Sequence, residues 1–104
     1  MLEAGTPATY NLEEVERLHG VVHGYVQGVG FRYFLMGEAQ RLRLRGWVRN
    51  RDDGTVEFIA EGSRGDLERL KQAAERGPRM AHVDRVECSW SAAAGNLDSF
   101  DLTG

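Results

Sequence analysis

The sequence has little cysteine, little proline and no long apolar run. Its 104 residues include one cysteine, Cys88, and two prolines. A single cysteine excludes an intramolecular disulfide and gives no reason to invoke an oxidising compartment. No stretch approaches the roughly 18 apolar residues that a membrane helix needs, and the opening "MLEAGTPATY" lacks the basic start and apolar run of a secretory signal. We therefore expect a cytoplasmic protein with no membrane contact.

Positive charge is also scarce, since 13 basic side chains face 16 acidic ones and the net charge is −3. This balance argues against nucleic-acid binding, which depends on many cation–phosphate contacts, although a local cluster can still hold a small anion. The three histidines lack the spacing of a metal pair with carboxylates, so we predict neither metal nor cofactor. His19 and His23 do share one face of a predicted strand, which leaves a weak surface metal site as an alternative.

The length suits one domain, with residues 1–14 as an aperiodic and flexible extension and residues 15–104 as the folded part. A strand is predicted over residues 18–26, and a helix after it from the spacing of Phe31, Phe34, Leu35, Ala39 and Leu42. "GWVRN", "TVEFIAEG" and "HVDRVECSW" read as further strands, and Asp53-Gly54 predicts a hairpin between the first two. Ser63 or Asp66 begins a second helix that Gly77-Pro78 ends.

This order predicts an α+β fold, the ferredoxin-like α/β sandwich (βαββαβ), with both helices on one face of a four-stranded antiparallel sheet. "SFDL" adds a short fifth edge strand. In this arrangement we expect the third strand to separate the first two, which are expected to run antiparallel to each other. The aromatic residues expected in the core are Phe31, Phe34, Trp47, Phe58 and Trp90, and Cys88 is expected to be a buried structural thiol.

The segment "QGVGFR" joins the first strand to the first helix, and we call it the glycine turn: Gln27, Gly28, Val29, Gly30, Phe31 and Arg32. Its glycines can adopt positive φ, so that successive N–H groups point into one concavity beside the helix N-terminus. Arg32 adds a permanently charged fork that pairs with two phosphate oxygens. Spacing alone leaves two readings open, an anion cradle and a tight turn whose arginine points into solvent.

Asn50 ends "GWVRN" just before the hairpin, and we expect it on the sheet near its middle. Asparagine commonly shapes turns, and this reading remains open. The alternative is an amide that both donates and accepts hydrogen bonds and holds a water molecule beside a bound phosphate.

"VVHGYVQGVGFR" followed by "GWVRN" closely resembles the acylphosphatase family, and the similarity extends over residues 18–102. The resemblance implies a metal-independent hydrolase of carboxyl–phosphate anhydrides that acts on small acyl phosphates without a cofactor, expected here as a monomer. It also implies that Arg32 binds phosphate, that the N–H groups of residues 28–32 form the phosphate cradle, and that Asn50 positions the attacking water. The extension and the ending "FDLTG" depart from the family pattern and leave the anchoring of the chain end open.

Three other functions compete with this one. An acylphosphatase-like domain of carbamoyl-transfer maturation proteins is disfavoured because no zinc motif follows. A ferredoxin-like RNA binder is disfavoured because the chain is acidic and lacks the matching aromatic pattern. A catalytically silent family member is disfavoured because Arg32 and Asn50 are both present.

Overall fold

Five strands and two helices follow one another in the order that the sequence predicts. The structure is a computed structural model that describes residues 14–103, so the predicted extension lies outside the described residues except at its last position. The elements are β1 (Glu16–Tyr25), α1 (Phe31–Arg41), β2 (Arg45–Asn50), β3 (Val56–Gly62), α2 (Arg64–Arg76), β4 (His82–Ala92) and β5 (Asp101–Leu102). The predicted ferredoxin-like sandwich, with its fifth edge strand, is confirmed.

The strands form one sheet in the order β4-β1-β3-β2-β5. β3 lies between β1 and β2 and is antiparallel to both, so β1 and β2 are parallel to each other. The prediction that these two strands are antiparallel was wrong, because a right-handed strand–helix–strand crossover returns the chain in its original direction. β1 and β2 therefore end on the same side of the molecule, which we call the upper end of the sheet, marked by Tyr25 and Asn50.

Both helices cover one face of the sheet and enclose the core between them. The largest fully buried side chains are Leu18, Val22, Val26, Phe31, Leu35, Val48, Val56, Phe58, Leu67, Leu70 and Phe100. Phe31 and Phe58 thus occupy the core as predicted, and Phe34 and Trp90 are half-buried at its margin. Trp47 was wrongly assigned to the core. It alternates with the buried Val48, so it lies on the uncovered face of the sheet under the guanidinium of Arg49, whose Cζ is 5.6 Å from the ring centroid.

The helix α2 has the ends that the sequence predicts. Ser63 is its N-cap, and its Oγ accepts a hydrogen bond from the N–H of Asp66 at 3.3 Å. Gly77 ends the helix with a φ of 69°. At 13 residues α2 is the longer of the two helices, and neither helix in residues 14–103 is long and apolar enough to cross a bilayer.

The chain end is anchored by a buried aromatic residue and by the fifth strand. β5 runs parallel to β2, pairing Asp101 with Trp47, and Phe100 is only 1% exposed. Gln40 Nε2 donates to the Phe100 carbonyl at 3.0 Å, and the N–H of Thr103 donates to the Val48 carbonyl at 3.0 Å. Phe100 therefore completes the core at the lower end of the sheet, a role that the sequence analysis did not predict.

Candidate active site

The glycine turn leaves β1 at the upper end of the sheet and leads directly into α1. Gly28 has a φ of 76° and Gly30 a φ of 80°, in the left-handed region that favours glycine. A Cβ added at either position would have no neighbour within 4 Å. The turn therefore requires glycine for its backbone conformation and not because of crowding.

The N–H groups at the start of α1 are left without acceptors. The first hydrogen bond of the helix runs from the N–H of Phe34 to the carbonyl of Gly30, at 3.0 Å. Within residues 14–103, the N–H groups of residues 28–33 donate no hydrogen bond, the N-cap Gly30 offers no side chain, and the first turn holds no acidic residue. Free N–H groups and the positive end of the helix dipole together favour a bound anion.

Arg32 is the second residue of α1, and its side chain is half-buried. No hydrogen bond or ion pair joins it to another described residue. Four other arginines in residues 14–103 also lack a carboxylate partner, and all four are exposed: Arg43, Arg45, Arg76 and Arg79. Arg32 thus combines partial burial with the lack of a counter-ion in the described chain, which favours the anion cradle over an arginine that simply points into solvent.

Asn50 is the last residue of β2 and pairs with Val56, the first residue of β3. Val48, two positions earlier, and Val56 are both buried under the helices, so the Asn50 side chain is on the helix-covered face as well. Its Oδ1 is buried and has no hydrogen-bond partner in the described part of the chain. Asn50 is on the sheet, as expected, but at its upper end. The expectation of a place near the middle was wrong because β2 ends at this residue.

Strand register brings Asn50 and the glycine turn to the same region. Val22 pairs with Val56, and Val56 with Asn50, so the three residues form a row across β1, β3 and β2. Neighbouring strands are about 4.8 Å apart, which puts Asn50 about 10 Å from Val22 across the sheet. An open depression of about 440 Å³ lies beside Asn50 and is lined by residues 49–53. The glycine turn is not among its walls, although it leaves β1 at the same end of the sheet.

Gln27 connects the glycine turn to the β2–β3 hairpin. Its Nε2 donates to the carbonyl oxygens of Arg51, at 2.8 Å, and Thr55, at 2.9 Å. The sequence predicts that Gln27 binds substrate, and this stays a prediction; in the structure its side-chain nitrogen donates to the hairpin. No spacing rule could have revealed this contact, because its partners are 24 and 28 positions away.

The hairpin beside Asn50 is held by its own aspartate. Asp53 Oδ1 accepts hydrogen bonds from Thr55 Oγ1 at 2.6 Å and from the N–H of Thr55 at 3.0 Å. These bonds hold the pKa of Asp53 below its ordinary value, and the bond from the Thr55 hydroxyl has the largest effect. Asp53 therefore remains ionised and shapes the turn, as the sequence predicts.

His19 and Cys88 lie away from the upper end of the sheet, whereas His82 pairs with Tyr25 at that end and His23 lies two residues before Tyr25. His19 Nε2 is 2.7 Å from Glu57 Oε2, and His23 Nε2 is 3.2 Å from Glu87 Oε1, on a different strand. In residues 14–103 no three side chains of His, Cys, Asp or Glu gather as they would around a metal ion. Cys88 is half-buried, and burial raises the pKa of its thiol, which opposes formation of a nucleophilic thiolate.

Known proteins resemble this chain in both sequence and structure. A family model described as acylphosphatase matches residues 18–102. An acylphosphatase of Anaeromyxobacter sp. (strain Fw109-5) is 47% identical over 91 residues, which cover 88% of this chain and 98% of the relative. The crystal structure of acylphosphatase from Bacillus subtilis matches with a TM-score of 0.83 and 37% identity, covering 86% of this chain and 99% of that chain. The structure of T. kodakarensis HypF matches with a TM-score of 0.74 and 32% identity, covering 86% of this chain but 12% of that chain.

The fold and these likenesses define a small α+β hydrolase. The chain belongs to the acylphosphatase family. It hydrolyses the carboxyl–phosphate bond of acyl phosphates.

Proposed function

We propose that the glycine turn and Arg32 bind the phosphoryl group of a small acyl phosphate while Asn50 positions the attacking water. The observation that carries the proposal is a set of hydrogen-bond donors without acceptors. The N–H groups of residues 28–33 and the half-buried guanidinium of Arg32 are close in sequence at the N-terminus of α1. A phosphoryl group offers three oxygens, which match a concave set of N–H donors and one planar fork.

This arrangement supplies what phosphoryl transfer from an acyl phosphate requires. The carboxylate is a good leaving group, and the loose transition state spreads charge over the equatorial phosphoryl oxygens. Backbone N–H groups fixed by Gly28 and Gly30 stabilise that charge without reorganising during the reaction. The guanidinium of Arg32 adds a planar fork that can donate to two phosphoryl oxygens at once.

Asn50 is suited to hold a water because its amide oxygen makes no hydrogen bond to another described residue. Its buried Oδ1 has no partner among the described residues, and Asn50 is one of the residues that line the open depression. An amide oxygen without a partner can accept one O–H of a water, which leaves a lone pair of the water directed at phosphorus.

The hydrolytic step breaks one bond and forms one. The water oxygen bonds to phosphorus as the bond between phosphorus and the carboxyl oxygen breaks, and the carboxylate leaves with the electron pair. The proton of the water passes to a phosphoryl oxygen of the substrate. No side chain of the protein is needed as a strong base, which agrees with the raised pKa of Cys88, since burial opposes formation of its thiolate.

We further propose that residues 15–104 act as a monomeric catalytic domain in the cytoplasm. The family match over residues 18–102 supports the domain, and the single free thiol is consistent with a reducing compartment.

The substitution Asn50→Ala tests the positioning of water. With acetyl phosphate as substrate, kcat should fall about 100-fold, because misplacing a reactant by about 1 Å has an effect of that size. The inhibition constant of inorganic phosphate should change much less, since the donors of the glycine turn remain. Asn96→Ala is the control, because Asn96 is exposed and the only side-chain hydrogen bond shown for it in residues 14–103 is with Arg17. Equal losses of kcat and of phosphate affinity would contradict the assigned role.

A further inference from the structure

We infer that Gln27 is a positioning residue that fixes the glycine turn relative to Asn50. The inference rests on the proposed function, because it concerns the geometry between the phosphate-binding donors and the amide that holds the water. It assigns the Gln27 side chain a partner within the protein in place of the substrate.

The contact joins the residue before the phosphate-binding donors to the residue after Asn50. Gln27 directly precedes Gly28, and one of its acceptors is the carbonyl oxygen of Arg51, at 2.8 Å. The second acceptor is the Thr55 carbonyl oxygen, at 2.9 Å. Both distances are typical of good N–H···O hydrogen bonds, and one amide nitrogen has two hydrogens to donate. Both N–H groups of the Gln27 amide therefore donate to the hairpin.

Those two acceptors are also the carbonyls that close the hairpin. The N–H of Arg51 donates to the Thr55 carbonyl at 2.9 Å, and the N–H of Gly54 donates to the Arg51 carbonyl at 3.2 Å. Each carbonyl oxygen thus accepts one bond from the hairpin backbone and one from Gln27. Any shift of the Gln27 side chain is transmitted to the backbone that immediately follows Asn50.

The sheet stops short of this connection. The pairing of β1 with β3 ends at Val22 and Val56, so the last residues of β1 pair only with β4. Within residues 14–103, the two Gln27 bonds are the hydrogen bonds that join residues 26–32 to residues 50–55. Without them, no hydrogen bond among the described residues would join the glycine turn to the hairpin beyond the last β1–β3 pair.

Removing the bridge should affect turnover more than phosphate binding. The donors of the glycine turn and Arg32 lie on one side of the bridge and would remain together. Asn50 lies on the other side, and a small displacement of its amide spoils the line from water to phosphorus, an error to which rate is very sensitive. Gln27→Met keeps the length of the side chain and removes its donors, and Gln27→Asn keeps the amide but shortens its reach by one methylene.

The experiment measures kcat with acetyl phosphate and the inhibition constant of inorganic phosphate, for variants whose folding is checked by urea denaturation. Gln27→Met should lower kcat about 10-fold or more while the inhibition constant changes about 2-fold or less. Gln27→Asn should give the same result and replaces Gln27→Met if that variant does not fold. Gln40→Met is the matched control, because Gln40 makes the same kind of bond to the Phe100 carbonyl at the lower end of the sheet. It should keep kcat.

A double-mutant cycle with Asn50→Ala decides whether Gln27 acts through Asn50. In the Asn50→Ala background, Gln27→Met should lower kcat little further, because the water is already unplaced. Separate losses that multiply, an unchanged kcat in Gln27→Met, or equal losses of kcat and phosphate affinity would each overturn the inference. If Asn50→Ala loses kcat and Gln27→Met does not, only this inference fails. A fully active Asn50→Ala variant would overturn the proposed function, and the role of Gln27 with it.

Discussion

Replacing Arg32 with lysine tests whether the shape of the side chain matters for phosphate binding in addition to its charge. Both side chains are cationic, but only arginine offers a planar fork that donates to two phosphoryl oxygens at once. The site suits this test because Arg32 has no carboxylate or carbonyl partner among residues 14–103. The substitution therefore removes no bond from the described structure, and we expect the free energy of unfolding to change by less than about 0.5 kcal/mol.

The size of the activity loss follows from the bonds to the phosphoryl group. A hydrogen bond that involves a charged group contributes about 1.5–3 kcal/mol, and lysine retains one of the two that the fork provides. Losing the other in the transition state lowers kcat/KM about 10- to 150-fold, since about 1.4 kcal/mol corresponds to a factor of ten. Arg32→Ala loses both bonds and should lower kcat/KM by about the square of that factor.

The measurement is steady-state hydrolysis of acetyl phosphate by the wild type, Arg32→Lys and Arg32→Ala, with stability followed by urea denaturation. Arg69→Lys is the control, because Arg69 is an exposed arginine on α2 whose partner is Asp66. A fully active Arg32→Lys variant would show that no fork is required. An Arg32→Ala variant as active as Arg32→Lys would show that the guanidinium does not face the phosphoryl group, and either result would refute the cradle.

Two further predictions concern stability. Phe100→Ala should lower the free energy of unfolding by about 3–5 kcal/mol, because it empties a fully buried core position. Urea denaturation measures this change. A change under about 1 kcal/mol would show that Phe100 does not anchor the core. Burial alone would raise the pKa of Glu61, but hydrogen bonds from Ala94, Arg17 and Gly95 outweigh it and hold the pKa below 4.5. Its folded pKa is depressed, so its contribution is present above about pH 4.5 and is lost as the pH falls through the folded pKa. The stability difference between wild type and Glu61→Gln should therefore shrink on acidification, and a difference that stays constant from pH 7 to pH 3 would contradict this.

The architecture was predictable because local patterns and global topology agree. Val56, Phe58 and Ala60 alternate along the third strand and are all buried, and Leu67 and Leu70 are three positions apart on the second helix and are buried as well. The rule for right-handed crossovers then leaves few ways to join the elements. The relative direction of β1 and β2 was nevertheless predicted wrongly. Their parallel direction follows from the crossover and not from any residue pattern.

The site was predictable only in part. Glycines at fixed spacing before an arginine at a helix start are a local signal, and the structure gives Gly28 and Gly30 the expected positive φ. The bridge from Gln27 to the hairpin and the burial of Phe100 depend on residues far apart in the chain. A single sequence holds no local trace of such contacts, because neither partner changes the periodicity around it.

The two helices of this chain show why the N-terminus of α1 is better explained by binding than by stability. α2 begins with Ser63, whose Oγ accepts a backbone hydrogen bond, and has Asp66 in its first turn, as ordinary helix stabilisation requires. α1 begins with Gly30, has no acidic residue in its first turn, and places Arg32 beside the positive end of its own dipole. A serine cap or an aspartate would occupy the N–H groups, and a cation there is unfavourable unless an anion accompanies it. The same chain builds a conventional cap 33 positions later, at Ser63 against Gly30, and this contrast supports the proposal that the N-terminus of α1 binds the phosphoryl group.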